Sequence, residues 1–226
     1  MTFLELCKRL RSEAGIAGSG PTSVASQTGE LLRVVDWIKD AYRDIQDRRQ
    51  DWDFLRNDFS FSASVAGGAT YAKTVVTNLA NWKHDERDSF RCYLTATGVN
   101  DEQWLVFEPW DKFRSTRLFG ANRNNSGRPL YFSIKPDKSV MLWPTPDATY
   151  TIVGEYYKTA TEFSVDGDEP LFDRHHMAIV YNALMRYAAY VAEPALYARG
   201  EAEYKKLIRK LERDFSHNIM LGGPMA

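Results

Sequence analysis

The run of apolar and polar positions divides the chain into three stretches, with helical spacing at both ends and alternation between them. Thr2-x-x-Glu5 has the form of a capping box, in which the hydroxyl and the carboxylate satisfy backbone N–H groups reciprocally. Phe3, Leu6, Cys7 and Leu10 follow at helical spacing, and Gly15 ends that short helix. Residues 15–28 are rich in Gly, Ser and Thr, the composition of a loop. Thr28 is placed to cap a second helix, with Glu30 in a first turn where the helix dipole favours an acid. Leu31, Val34, Val35, Ile38, Ala41, Tyr42 and Ile45 form one apolar face, and this helix is expected to end near Asp51.

Beyond Trp52 the period changes. Phe59-Ser60-Phe61-Ser62 alternates, and Ala66-Gly67-Gly68 reads as a turn. Phe90–Leu94 and Gln103–Phe107 read as strands joined across Gly98-Val99-Asn100-Asp101, and a short helical stretch follows around Asp111–Phe119. Leu130–Ile134 and Ser139–Trp143 flank Pro136-Asp137-Lys138, a strong hairpin signal, and Tyr150–Tyr157 supplies another strand. After the loop Asp166-Gly167-Asp168-Glu169-Pro170, helical spacing returns in Met177, Val180, Tyr181, Leu184, Tyr187, Ala188 and Val191. Pro194 separates this helix from a last one carrying Tyr197, Tyr204, Leu207, Ile208 and Leu211. The tail from Gly222 reads as a small mobile end. The pattern predicts an α+β fold: a helical bundle formed by the N- and C-terminal helices, with an inserted antiparallel β-sheet or sandwich region. The expected parts are N-terminal helices in 1–54, a β-rich insert in 55–165, and C-terminal helices in 166–226 that pack on the first.

Composition narrows the functional classes. Of 226 residues, 44% are hydrophobic and 26% charged, which allows a proper core and excludes wholesale disorder. Lys and Arg number 29 against 30 acids, so no global charge favours nucleic acid or an anionic membrane. Glu5 interrupts any apolar run of a secretory signal, and no membrane-length apolar run occurs, so the expectation is a soluble chain made in the cytoplasm. Two cysteines, Cys7 and Cys92, exclude a disulfide scaffold and a four-cysteine zinc site, and both read as small core residues.

Enzyme signatures are missing or weak. There is no G-x-S-x-G elbow, phosphate-binding G-x-x-x-x-G-K-[ST] loop or H-E-x-x-H helix. Gly15, Gly18 and Gly20 follow a helix rather than a strand, the wrong setting for a dinucleotide loop. His175 and His176 are adjacent, so on a helix they point about 100° apart and do not converge on one ion. Asp166-Gly167-Asp168-Glu169 lacks the spacing and closing Glu of a calcium loop. No catalytic residue, cofactor or metal is called for.

Two charged stretches remain as candidate interfaces. Between Asp111 and Lys138 seven basic residues face two acids, a local excess of five. Arg114, Arg117, Arg123 and Arg128 are the candidates there, for DNA phosphates or an acidic partner surface. The last helix carries Lys205, Lys206, Arg209 and Arg213 among several glutamates, the mixed charge of a face that pairs with a partner or stays solvated. An alternative class is a sequence-tolerant DNA-binding module using 111–138.

The order of segments resembles a known family. Thr2–Arg11 with Gly15-Ile16, Gly20-Pro21-Thr22 and Gln27-Thr28-Gly29-Glu30 is similar to the opening of head–tail adaptor proteins of tailed bacteriophages, which attach beneath the portal. Asp36-Trp37-Ile38, Trp52-Asp53-Phe54, Asp88-Ser89-Phe90-Arg91, Gly98–Gln103, Phe119-Gly120 to Gly127-Arg128-Pro129, Pro136–Ser139, Gly154–Lys158, His176–Tyr181 and Gly200–Tyr204 continue the likeness over nearly the whole chain. The resemblance implies a non-enzymatic virion protein of the neck, forming a ring, usually dodecameric, between the portal and a tail or nozzle protein. Genomic DNA would pass through its lumen, with no membrane partner. It also implies that the helical part carries ring and portal contacts and that the β insert faces outward or toward the tail. A ring needs two dissimilar faces on each subunit, because one side meets the opposite side of the neighbour.

Overall fold

The computed structural model describes residues 1–18, 20–84 and 89–215; Asp88 of one quoted motif and the tail from Gly222 lie outside them. The fold is α+β. The chain forms two compact units, one of Met1–Leu55 with the chain from Ala160 onward, the other of Arg56–Thr159.

The first unit is helical. Helix α1 (Phe3–Glu13) begins with the capping box the sequence announces: Thr2 Oγ1 accepts from the Glu5 N–H at 3.3 Å, and the Glu5 carboxylate accepts from the Thr2 N–H at 2.9 Å. It buries Phe3, Leu6, Cys7 and Leu10. Helix α2 (Gly29–Asp47) starts after Thr28, whose backbone is extended as a cap requires, although its hydroxyl makes no capping bond. It ends before the expected Asp51. The chain turns so that the buried Trp52 indole N–H donates to the Ile45 carbonyl at 3.0 Å, one of the acceptors that a helix C-terminus leaves without an intrahelical partner. After helix α3 (Trp110–Thr116) in the second unit come α4 (Met177–Val191) and α5 (Pro194–Phe215), the last opening on a proline where the missing N–H costs nothing.

Within this unit α4 packs against α1, α2 and α5. Gly200 lets α5 come close to α4, since a Cβ there would meet Met185 Cγ at 3.2 Å. The irregular segment after Ala160 adds to the same core. Phe163 stacks between Tyr42 (centroids 4.2 Å) and Phe3 (4.8 Å). The buried Gln46 grips that segment as a strand would, donating to the Thr161 carbonyl and accepting from the Thr161 N–H, each at 2.9 Å.

The second unit is an eight-stranded sheet: β1 (Arg56–Ala63), β2 (Thr70–Tyr71), β3 (Leu79–Lys83), β4 (Phe90–Leu94), β5 (Gln103–Phe107), β6 (Tyr131–Ile134), β7 (Val140–Trp143) and β8 (Tyr150–Lys158). The order is β1-β8-β4-β5-β6-β7-β2, with β3 also paired to β8. The expectation of an antiparallel sheet is corrected at one pair. β5 and β6 run parallel, in register Val106 with Tyr131, so the sheet is mixed. The cause is the connection: α3 (Trp110–Thr116) and the loop after it carry the chain back, and parallel neighbours need such a crossover. The Pro136-Asp137-Lys138 hairpin joins β6 to β7 as its sequence predicts, with Lys138 in the left-handed region at φ 65°. Strands β2 and β3 have no clear alternation and were not anticipated.

The inner face of the sheet is aromatic. Phe90 stacks on Phe132 with centroids 4.2 Å apart and meets Phe59 edge-on at 4.8 Å, and Trp82 closes on both Phe59 and Phe90. Gly154 of β8 makes room for these rings: a Cβ there would lie 2.9 Å from Phe59 Cε1 and Cζ and from Phe90 Cδ1. The neighbouring rings are wedged in turn by Phe132 and Trp82, so they have little room to retreat. Gly154→Ala is expected to destabilise this unit by about 1–3 kcal/mol through overpacking, measured by denaturant unfolding with near-ultraviolet circular dichroism as the probe.

Candidate docking surfaces

The cysteines and the adjacent histidines singled out in the sequence are each engaged within their own unit. Burial pushes the Cys7 thiol up to about 12 and the Cys92 thiol up to about 11, so neither supplies a thiolate near neutral pH. His175 Nε2 pairs with Asp214 at 2.8 Å, whereas His176 Nε2 lies 2.7 Å from the Phe172 carbonyl. The carbonyl only accepts, so His176 Nε2 carries a proton and Nδ1 accepts from the Met1 amino group at 2.8 Å. Among the described residues no group of three His, Cys, Asp or Glu side chains is arranged to hold a metal.

Burial holds the His176 imidazole below its ordinary value of 6.5. The folded chain therefore resists a proton that the unfolded chain takes up once the pH falls below 6.5. Stability is expected to be flat in this respect above pH 6.5 and to decline as the pH drops from there toward the depressed folded value. Urea midpoints at pH 7.5, 6.5 and 5.5 check this, and His176→Gln should flatten that part of the profile.

The basic stretch 111–138 divides into structural and exposed cations. Arg117 makes a two-point bond to the buried Glu108, Nε to Oε2 at 3.1 Å and Nη2 to Oε1 at 2.8 Å. Its guanidinium also lies 3.7 Å from the Tyr131 ring centroid and 4.8 Å from that of Trp143. The Arg117 hydrogen bonds hold the Glu108 carboxyl below the usual carboxylate range. Arg128 reaches both Asp101 carboxylate oxygens at 2.8 Å and the Cys92 carbonyl at 3.0 Å. Asp101 in turn accepts from the Leu94 N–H at 2.9 Å, so this pair ties the end of β4 to the turn before β5. Both arginines are half-buried and committed to their own chain. Arg114 and Arg123 are exposed, as is Lys112.

The exposed part of the stretch is a knob held on a rigid base. Asn122 bonds both ways: its carbonyl accepts from the Trp143 indole N–H at 2.9 Å, and its side-chain amide donates to the Thr116 carbonyl at 3.1 Å. Arg123 Nε donates to the Leu118 carbonyl at 3.3 Å. Between these anchors Phe119 stands 76% exposed, the most exposed large apolar side chain described, and Gly120 after it turns the backbone through φ 59°. The sequence singles out the arginines as interface candidates, and Phe119 only as part of the family resemblance. Phe119 standing next to turn residues within the acid-free run from Lys112 to Pro136 was the available signal.

On the last helix the candidates are dispersed along a solvent face. Lys205 pairs with Glu201 at 2.7 Å and Lys206 with Glu203 at 3.6 Å. Arg209 is exposed, and Arg213, three-quarters exposed, leans on Asp214 at 3.4 Å. Exposed pairs of this kind add only tenths of a kcal/mol each, so these side chains are little tied to their own helix.

A second surface feature was not singled out from the sequence. The outer face over β1, β8, β4 and the Val99–Asp101 turn forms an open groove of about 500 Å³, lined by Asp58, Arg91, Tyr93, Val99, Glu102 and Val153 among others. Val99 is 67% exposed on its rim, and Trp104, 52% exposed, stands beside Arg91. Arg91 bonds Glu102 at 3.3 Å.

No curated protein matches the chain. The family model described as SU10 adaptor protein matches residues 1–223. The chain belongs to that family, a family of phage head–tail adaptors.

Proposed function

We propose that this phage adaptor is a passive ring subunit, dodecameric when assembled, that joins the portal to the tail and extends the DNA channel. The match over residues 1–223 carries the reading, because it spans both compact units rather than one borrowed module. The subunit's partners are then the portal protein, copies of itself and a tail or nozzle protein, its place is the virion neck after synthesis in the host cytoplasm, and its role is structural rather than catalytic. The near balance of 29 basic and 30 acidic residues supports a conduit, since a strongly basic lining would hold the sliding duplex. The lumen is expected to be weakly charged or acidic, and a continuous basic belt on an assembled ring would contradict that. Arg114, Arg123, Lys205, Lys206, Arg209 and Arg213 are exposed and supply the charged rims of its contacts, whereas Arg117 and Arg128 support those surfaces from within.

The experiment is to mix the protein with portal rings of its own phage and to image the product. A twelve-fold disc added to one end of the portal is expected. Failure to bind the portal under conditions that assemble the native neck would overturn the reading. Tight, salt-sensitive binding of the free chain to duplex DNA, removed by Arg114→Glu with Arg123→Glu, would favour the DNA-binding alternative.

A further inference from the structure

We infer that the Phe119 knob of one subunit seats in the Val99–Tyr93–Val153 groove of a second copy of this chain. This rests on the ring reading above and names one of its contacts. Both features belong to the β unit and lie over different strands. The knob caps β6 and β7 through Arg117 on Tyr131 and Trp143 and through Asn122 on Trp143, while the groove lies over β1, β8 and β4. A surface that carries a protrusion in one place and a recess in another is built for head-to-tail contact, and repeated head-to-tail contact closes into a ring when the rotation allows.

Shape, polarity and charge agree. An aromatic side chain 76% in water on a pinned loop carries a large apolar area and loses little freedom on docking, the profile of an interface anchor. The groove offers Tyr93 and Val153 as apolar lining, with the exposed Val99 on its rim. On the knob and the short helix before it the exposed charges are Asp111, Lys112, Arg114 and Arg123, a net positive set, and no acid occurs from residue 112 to 136. Around the groove Arg91 and Glu102 neutralise each other, which leaves Asp58 as the net charge of its lining. Trp104 beside the groove, with Arg91 against its ring, adds exposed aromatic surface to the rim. A positive, aromatic protrusion therefore meets a negative, apolar recess, and the Asp58 rim steers the pair into one orientation.

Cross-linking in trans tests this with the full chain. Cys7 and Cys92 are both fully buried, so an introduced surface cysteine is read alone. Phe119→Cys and Val99→Cys are made as separate proteins, mixed and mildly oxidised. The expected product is a disulfide-linked pair that forms in the mixture at least tenfold faster than in either protein alone. Phe119→Ser should weaken self-association about thirtyfold, the loss of a strong anchor, and Arg123→Glu should weaken it in a salt-dependent way. A mixture that cross-links no faster than its components overturns the knob-in-groove contact. If the wild type still forms rings on the portal in that case, the ring reading stands with another contact. If the wild type forms no ring there, the ring reading fails by itself, whatever the cysteines do. Binding of duplex DNA by the knob, lost in Phe119→Ser without any trans cross-link, would assign it to nucleic acid and equally overturn the inference.

Discussion

Trp52→Ala is expected to lower the stability of the helical unit by about 3–5 kcal/mol, the range for deleting a buried large aromatic. The indole is fully buried and stacks on Phe54 at 5.2 Å, and Phe54 in turn meets Phe172 and Phe215. Truncation therefore opens a cavity where the end of α2, the Phe172 segment and the end of α5 converge. It also strips the donor from the Ile45 carbonyl, which adds the cost of an unmet acceptor. Trp52→Phe separates the two effects: it retains most of the volume, loses the N–H, and should recover more than half of the deficit. Far-ultraviolet circular dichroism at 222 nm during urea unfolding reads both, and a Trp52→Ala midpoint within error of wild type would refute the assignment of Trp52 as the keystone of this core.

Phe90→Ala should cost the β unit a similar amount, about 3–5 kcal/mol. Phe90 has no exposed surface and touches rings from three other strands: Phe59 of β1, Trp82 of β3 and Phe132 of β6. β3 and β4 lie on the same side of β8, β1 lies on its other side, and β6 is two strands beyond. One ring thus links regions of the sheet that no single hydrogen-bond ladder joins. Phe90→Leu, which refills most of the space, should be markedly milder. Tryptophan fluorescence is a sensitive monitor, since Trp82 loses its edge-on neighbour.

What the sequence made legible follows from how local each cause is. The α1 capping box depends on residues three apart, and the β6–β7 hairpin depends on a turn between two strands; both stand as their sequences predict. The apolar faces of α2 and α4 repeat at helical spacing, and the residues on them are the buried ones. The premature end of α2 depends instead on Trp52 folding back to a carbonyl seven residues earlier, a choice made by packing. The parallel β5–β6 pair depends on which way a crossover returns, and alternation within a strand carries no direction. Phe163 joins the helical core from an irregular segment, so no period announces it. The candidate surfaces show the same division. A count of charges along 111–138 does not tell an arginine clamped on a buried glutamate from one in water, whereas the Phe119 knob and its groove need strand order and exposure to be seen.

The two clamped arginines have a consequence for how the 111–138 stretch meets a polyanion. Glu108 and Asp101 lie outside the 111–138 stretch, so the ion pairs of Arg117 and Arg128 reduce its excess of five positive charges to three. Binding to a duplex gains free energy by setting loose the counterions condensed on each phosphate it neutralises, and the gain grows with the number of mobile cations presented. With two guanidiniums already neutralised at home, fewer such ions are liberated should a duplex meet this surface. Any affinity of the free chain for a duplex should therefore depend on salt less steeply than seven unpaired cations would dictate, which a titration at several ionic strengths checks.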